Sequence, residues 1–223
     1  MRAPLSVIIP TLDAAEALPA CLASLMEGVE AGLIREVIFS DGGSEDATAQ
    51  LAEEAGVTLV GGPASRGGQL RRGAQAAAGE WLLFLHADSV VPAGWSEMVR
   101  AQMKRGGAAY FPLRFDAAGL APGLVARWAN LRAARFGLPY GDQGLLISRA
   151  EYHAVGGYPD IALMEDVAMA RALKGRLSSL PGPITTSAGK YIRDGWLRRG
   201  ARNLSLLMRY LLGADPDKLA RRY

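Results

Sequence analysis

What this sequence lacks narrows its chemistry before any motif is considered. Cys21 is the only cysteine, so an internal disulfide and a cysteine-rich metal site are both excluded. Histidine is nearly as scarce. With only His86 and His153, and no G-x-S-x-G elbow, Ser-His-Asp hydrolase chemistry has little to build on. No Walker loop occurs, and no repeat or low-complexity tract is evident. No stretch reaches the roughly eighteen apolar residues of a membrane-spanning helix. The apolar run in MRAPLSVIIPTLD stops at Pro10, too soon for a signal-peptide core, so it reads as a first strand.

What is present fits one compact domain. Of 223 residues, 50% are hydrophobic and 21% charged, which allows a sizeable core and argues against disorder. The formal net charge of +3 is unevenly placed. Residues 190–223 hold nine Lys and Arg against Asp194, Asp215 and Asp217, a net +6, which leaves residues 1–189 at −3. The expected organisation is therefore a body over 1–189 and a basic tail over 190–223. In that tail Trp196, Leu197, Leu204, Leu207, Met208, Leu211 and Leu212 recur at near-helical spacing between arginines. Such a helix can lie on an anionic bilayer or pack on the core or a partner subunit. Nucleic acid is not an expected partner, because no recognition motif accompanies the basic residues. The expected location is cytoplasmic, with the inner face of the membrane open to the tail.

Periodicity predicts an α/β protein. Strands are expected at Leu5–Ile9, Glu36–Phe39, Val57–Val60 and Trp81–Leu85, and helices over Ala14–Met26, Glu45–Ala55 (with Ser44 as N-cap) and Gln69–Ala78. This is a βαβαβαβ order. Later elements are less regular: a strand at Ala108–Phe115, a helix at Gly123–Phe136, a strand at Gly144–Ile147 and a helix from Arg149, in a sheet expected to be mixed. Glycines at 61–62 and 106–107 mark loops.

Three acidic stations punctuate this order: Asp41 in EVIFSDGGSEDAT, Asp88 in WLLFLHADS, and Glu165-Asp166 in LMEDVAMA. Carboxylates just past the C-terminal ends of strands converge on one crevice in α/β sheets. Taken alone, each has a plain structural reading as well. Ser44 and Asp46 are natural helix caps, Asp88 suits a turn before Pro92, and two acids in a first helical turn complement the macrodipole.

The ordered series SVIIPTLD, SDGGSEDAT, RGGQLRRGAQAAAGEWLLFLHADS, then GG-Y and MED resembles family 2 glycosyltransferases of the GT-A fold over roughly residues 5 to 175. The likeness is to a short, single-domain bacterial branch in which HAD stands where DxD is commoner. The resemblance implies a Rossmann-like nucleotide-binding half and a sugar transferred with inversion from a nucleoside-diphosphate sugar, UDP- or GDP-linked. It also implies a divalent ion, Mn²⁺ or Mg²⁺. It assigns Asp41 to the nucleotide, with Pro10, Thr11, Asp13, Glu16, Arg66 and Gln69 nearby, and it gives Asp88 to the metal. His86 is taken as a nucleotide contact rather than a ligand. Asp166 becomes the general base, Glu165 its support, and Asp142 and Gln143 acceptor-side contacts. Arg71 and Arg72 are expected to be solvated. A lipid-linked acceptor would suit the tail. Two alternatives stay open at this level: a nucleotidyltransferase acting on a sugar phosphate, and a non-catalytic nucleotide-sugar binder.

Overall fold

The computed structural model describes residues 3–220. Its first half alternates β1 (Leu5–Thr11), α1 (Leu18–Glu30), β2 (Ile34–Asp41), α2 (Thr48–Glu54), β3 (Thr58–Gly61), α3 (Arg66–Ala76) and β4 (Trp81–Phe84). There follow β5 (Ser89–Val90), α4 (Trp95–Arg105), β6 (Ala108–Tyr110), β7 (Leu113–Phe115), α5 (Leu120–Phe136), a 3-10 turn at Gly141–Gln143, β8 (Leu145–Ser148), α6 (Arg149–Ala154) and α7 (Glu165–Ala172). β9 (Leu177–Ser179), β10 (Ile184–Thr186), α8 (Gly189–Asp194), α9 (Trp196–Leu211) and α10 (Pro216–Ala220) complete the described residues.

Seven strands form the main sheet in the order β3-β2-β1-β4-β8-β6-β9. The first four are parallel, as their helical crossovers require; β8 runs antiparallel to β4 and β6, and β9 parallel to β6. The mixed sheet expected from the sequence is present. Val7, Ile8 and Ile9 in β1 are all buried, because helices cover both faces and an unbroken apolar run replaces alternation. On one side Val7, Ile9 and Leu83 join Leu18 and Leu25 of α1 and Trp95 and Val99 of α4. On the other, Ile8, Ile38 and Leu82 join Leu70 of α3, Tyr152 of α6 and Met169 of α7.

A second sheet of three short strands, β5-β10-β7, receives the chain as it leaves β4. Residues 86–88, the HAD segment, are thus the crossing between the two sheets. The single strand expected over Ala108–Phe115 is instead two. Pro112, which has no N–H to donate, separates β6 in the main sheet from β7 in the small one.

Other boundaries also move. α1 starts at Leu18 rather than Ala14, with Pro19 in its first turn. Ser44 does not cap α2, which begins only at Thr48 and whose entry is set by Asp46: its carboxylate accepts from Ala15 N at 2.9 Å and Thr48 N at 2.9 Å. α4 and the strands β5 and β10 are additions to the sequence-based reading.

The basic C-terminal segment is packed on the body. Leu206 and Leu207 of α9 bury against Met164, Val167 and Leu219, and Tyr191 and Trp196 stack at 4.9 Å with Phe115 set edge-on to both. Arg221 and Arg222, counted in the tail charge, lie outside the described residues. No helix among those described is long and apolar enough to cross a membrane.

One buried side chain ties the strand ends to α3. Gln69 Nε2 donates to Thr11 O at 2.7 Å and to Ser40 O at 3.0 Å, holding β1 and β2 at the edge where the site forms. Gln69→Leu removes both bonds at similar volume. It is expected to lower the free energy of unfolding by about 1–3 kcal/mol in urea denaturation.

Candidate active site

A compartment of about 550 Å³ opens at the C-terminal ends of β1 and β4, walled by Pro10, Thr11, Asp13, Ser65, Arg66, Gln69, His86 and Asp88 among others. Six of the residues expected around a nucleotide therefore share one wall. Asp13 is held in the left-handed region (φ 48°), where its N–H donates to Ser44 Oγ and its carboxylate accepts from Glu45 N, both at 2.9 Å. Glu16 is exposed and is not part of this wall.

Asp41 is 8% exposed and also stands off the wall. Its carboxylate accepts from Thr11 Oγ1 (2.8 Å), Gly43 N (2.8 Å), Ser44 N (2.8 Å) and Ser44 Oγ (2.5 Å). Burial alone would raise its pKa, but these bonds outweigh it and hold the carboxyl below the usual range. Asp41 thus shapes the turn that carries Thr11 and Asp13. Arg72, expected to be solvated, instead anchors the neighbouring loop, donating to Pro63 O at 2.9 Å.

The glycines of SRGGQ have a different use from the anion cradle that a Gly-rich helix start suggests. Gly67 N donates to Ile161 O at 3.1 Å and Gly68 N to Ser65 Oγ at 3.3 Å, so both amides are engaged within the protein. A Cβ at Gly67 would lie 2.0 Å from Pro159 O. Only glycine lets α3 approach the loop that leads to the Glu165-Asp166 pair.

Beside this compartment lies a cleft of about 130 Å³ lined by the acid-pair helix, the 3-10 turn and the C-terminal helices. Arg66, His86, Asp88 and Lys190 line both spaces and form their junction. Arg66 Nε lies 3.2 Å from Glu165 Oε1, and its Nη2 lies 2.5 Å from His86 Nε2. Because guanidinium is only a donor, the imidazole must offer a lone pair. Burial, then the charges of Arg66 and Lys190, push the His86 pKa well below its ordinary value, which keeps the ring neutral. Gly141 is needed here, since a Cβ on it would sit 2.5 Å from His86 Nε2.

Asp166 faces this cleft from the first turn of α7. Its Oδ2 accepts from Gly141 N at 2.8 Å and its Oδ1 from Val167 N at 2.7 Å, fixing the carboxylate. Met164 precedes the pair at φ 68°, a costly conformation for a side chain with Cβ. Glu165 is 2% exposed, and burial followed by the Asp166 charge raises its pKa, with Arg66 offsetting only part.

Asp142 lines the cleft, whereas Gln143 is fully buried, donating to Phe111 O at 3.2 Å and accepting from Tyr140 N at 3.3 Å. Gln143 therefore braces the turn. Lys190, Tyr191, Arg199 and Asn203 were not anticipated in the site. The sequence signal for Lys190 was the strand-to-helix step PITTSAGK, which repeats the arrangement that brings the other strand ends to the crevice.

Among the described residues no group of three or more His, Cys, Asp or Glu could hold a metal. A divalent ion fits that donor set if one carboxylate, such as Asp88, is its protein ligand and diphosphate oxygens and water complete the shell.

This chain belongs to glycosyl transferase family 2, whose model matches residues 6–135. A PGL/p-HBAD biosynthesis glycosyltransferase of Mycobacterium bovis is 40% identical over 96 residues, covering 40% of this chain and 37% of that protein. The match thus spans well under half of that relative. Among solved structures, S. aureus TarS 1-349 in complex with UDP superposes with a TM-score of 0.60 at 17% identity, covering 82% of this chain and 60% of the other. Glucosyl-3-phosphoglycerate synthase from Mycobacterium tuberculosis, with Mn²⁺, UDP and glucosyl-3-phosphoglycerate, gives 0.58 at 20%, covering 82% and 70%. These likenesses establish the GT-A fold. Family membership disfavours both the nucleotidyltransferase and the non-catalytic alternatives.

Asp142 allows the electrostatics of the cleft to be tested without substrate. Its Oδ1 is buried with no hydrogen-bond partner. Burial, with Asp166 and Asp88 adding and Arg132 opposing, pushes its pKa from 3.8 up to about 6. A raised carboxyl pKa stabilises the fold below the unfolded value, and that contribution is lost as pH rises through the folded one. Asp142→Asn should therefore raise the thermal midpoint near pH 7.5 and remove a loss of stability between roughly pH 4 and 6. Glu165 adds a separate loss through its own raised pKa, so the wild-type minus variant difference in Tm against pH isolates Asp142.

Proposed function

We propose that this protein transfers a sugar from a UDP-sugar to an acceptor hydroxyl, with inversion at the anomeric carbon. The observation that carries this reading is the junction of the two spaces. Arg66, His86, Asp88 and Lys190 stand between a strand-end compartment sized for a nucleotide and a cleft that presents Asp166. UDP in both structural neighbours supports the choice of nucleotide. Pro10, Thr11, Asp13, Arg66 and His86 on the compartment wall would hold the donor, with Gln69 acting through the ends of β1 and β2 and Asp41 through Thr11 and the Asp13 turn.

Mn²⁺ or Mg²⁺ would be held by Asp88 together with the diphosphate, where it would neutralise the charge that builds on the leaving group. Arg66 and Lys190 add positive charge at the same junction. Glu165 fixes the direction of Arg66 through its 3.2 Å contact. Asp166 takes the proton of the acceptor hydroxyl. The acceptor oxygen forms its bond to the anomeric carbon as the bond from that carbon to the diphosphate oxygen breaks on the opposite face. UDP leaves with the electron pair, and the configuration inverts. Phe115, Leu163, Met164, Tyr191 and Leu206 give the acceptor cleft an apolar portion beside polar residues such as Thr186, Arg199 and Asn203, which supports an amphiphilic acceptor such as a sugar or hydroxyl carried on a lipid.

Calorimetry should show UDP binding more tightly with Mn²⁺ than in chelator, and Asp88→Ala should erase that difference; equal affinity in both conditions for the wild type would remove the metal from the mechanism. Asp166→Asn should retain UDP binding while transfer falls by about 10²–10⁴-fold. Near wild-type transfer by that variant would mean an acceptor that arrives already ionised, such as a lipid phosphate. Lys190→Gln should lower kcat more than it raises the KM for donor, because the cation is needed most as the diphosphate departs.

A further inference from the structure

The outer surface of the C-terminal half carries an unusual concentration of exposed apolar side chains. Leu120, Leu124, Trp128 and Leu131 recur along α5 at intervals of three or four, and all are exposed. Along α9, Leu197, Leu204, Met208 and Leu211 follow at intervals of seven, four and three, which keeps them near one face, with Leu197 87% exposed. The two helices pack against each other. Neither contains a single Asp or Glu, while Arg127, Arg135, Arg198 and Arg209 are exposed beside the apolar stripes.

We infer that α5 and α9 together form a docking surface for an anionic lipid bilayer. Apolar stripes whose own helices carry arginines and no acid match the boundary between acyl chains and acidic headgroups. A second copy of the same surface matches it less well, because pairing would set the arginines of one copy against those of the other with no acid on either helix to offset them. α9 also has a second face. Arg199, Asn203 and Leu206 line the acceptor cleft while Leu197, Leu204 and Met208 point away from the core. One helix thus joins the proposed bilayer contact to the cleft, so an acceptor embedded in the membrane would enter beside its own lipid. That last consequence rests on the transferase reading; the docking does not.

The test is flotation with vesicles of phosphatidylcholine containing about one-third phosphatidylglycerol, without donor or acceptor. The protein should float with these vesicles, float much less with pure phosphatidylcholine, and be released as salt rises. Replacing Arg127, Arg135, Arg198 and Arg209 by Gln should weaken partitioning by about 10²–10³-fold. Leu124→Ser with Leu204→Ser should weaken it as well while leaving UDP affinity unchanged, which also reports that the variant is folded. Asp166→Asn should float like the wild type, so loss of transfer and loss of docking are read separately. A folded wild type that ignores anionic vesicles, or that forms a dimer broken by the two serine changes without binding vesicles, overturns the inference.

Discussion

The site depends on one partly buried cation. Arg66 stands in the first turn of α3, yet its guanidinium reaches Glu165 at the start of α7 and the ring of His86 at the end of β4, so three remote stretches of chain meet on it. A carboxylate buried as deeply as Glu165 is costly unless paired, and neutral His86 accepts what a second cation would repel. The glycine contact of α3 with the 159–161 loop makes this approach possible. Remove the arginine, and the buried acid, the imidazole and the junction between the two spaces all lose their common partner.

The first half of the fold was legible because its signals are local. Apolar runs such as Leu5–Ile9 and Val57–Val60 mark strands, although β1 runs on to Thr11 through Pro10, where the sequence placed its end, and parallel neighbours joined by helices follow from their order. The second half was less so. β5, β6, β7 and β10 have only two or three residues each, too few for periodicity to register, and which sheet they join depends on contacts far along the chain. Pro112 was the available clue to the break between β6 and β7.

The residues of the site divide along the same line. Arg66, His86 and Asp88 are brought to the junction, Asp13 to the compartment on one side of it and Asp166 to the cleft on the other, as acids and bases at strand ends and helix starts suggest. Asp41, Gln69 and Gln143 are bound up in hydrogen bonds to neighbouring chain, something residue type alone does not reveal. The contribution of α8 and α9 was hidden because a basic amphipathic segment looks the same in sequence whether it lies on the outside or closes a wall. Here it does both.

Among the described residues, the only non-glycine positions with positive φ are Asp13 and Met164, and each borders a wall of the site. Such conformations cost of order 1–3 kcal/mol apiece. At Met164 a glycine or asparagine would relieve that cost and gain heat resistance, and the same change would most directly loosen substrate alignment beside Glu165 and Asp166, whereas Asp13 already suits its φ and its carboxylate accepts from Glu45 N. An engineer seeking a hardier variant would find an easy improvement at a place least safe to change.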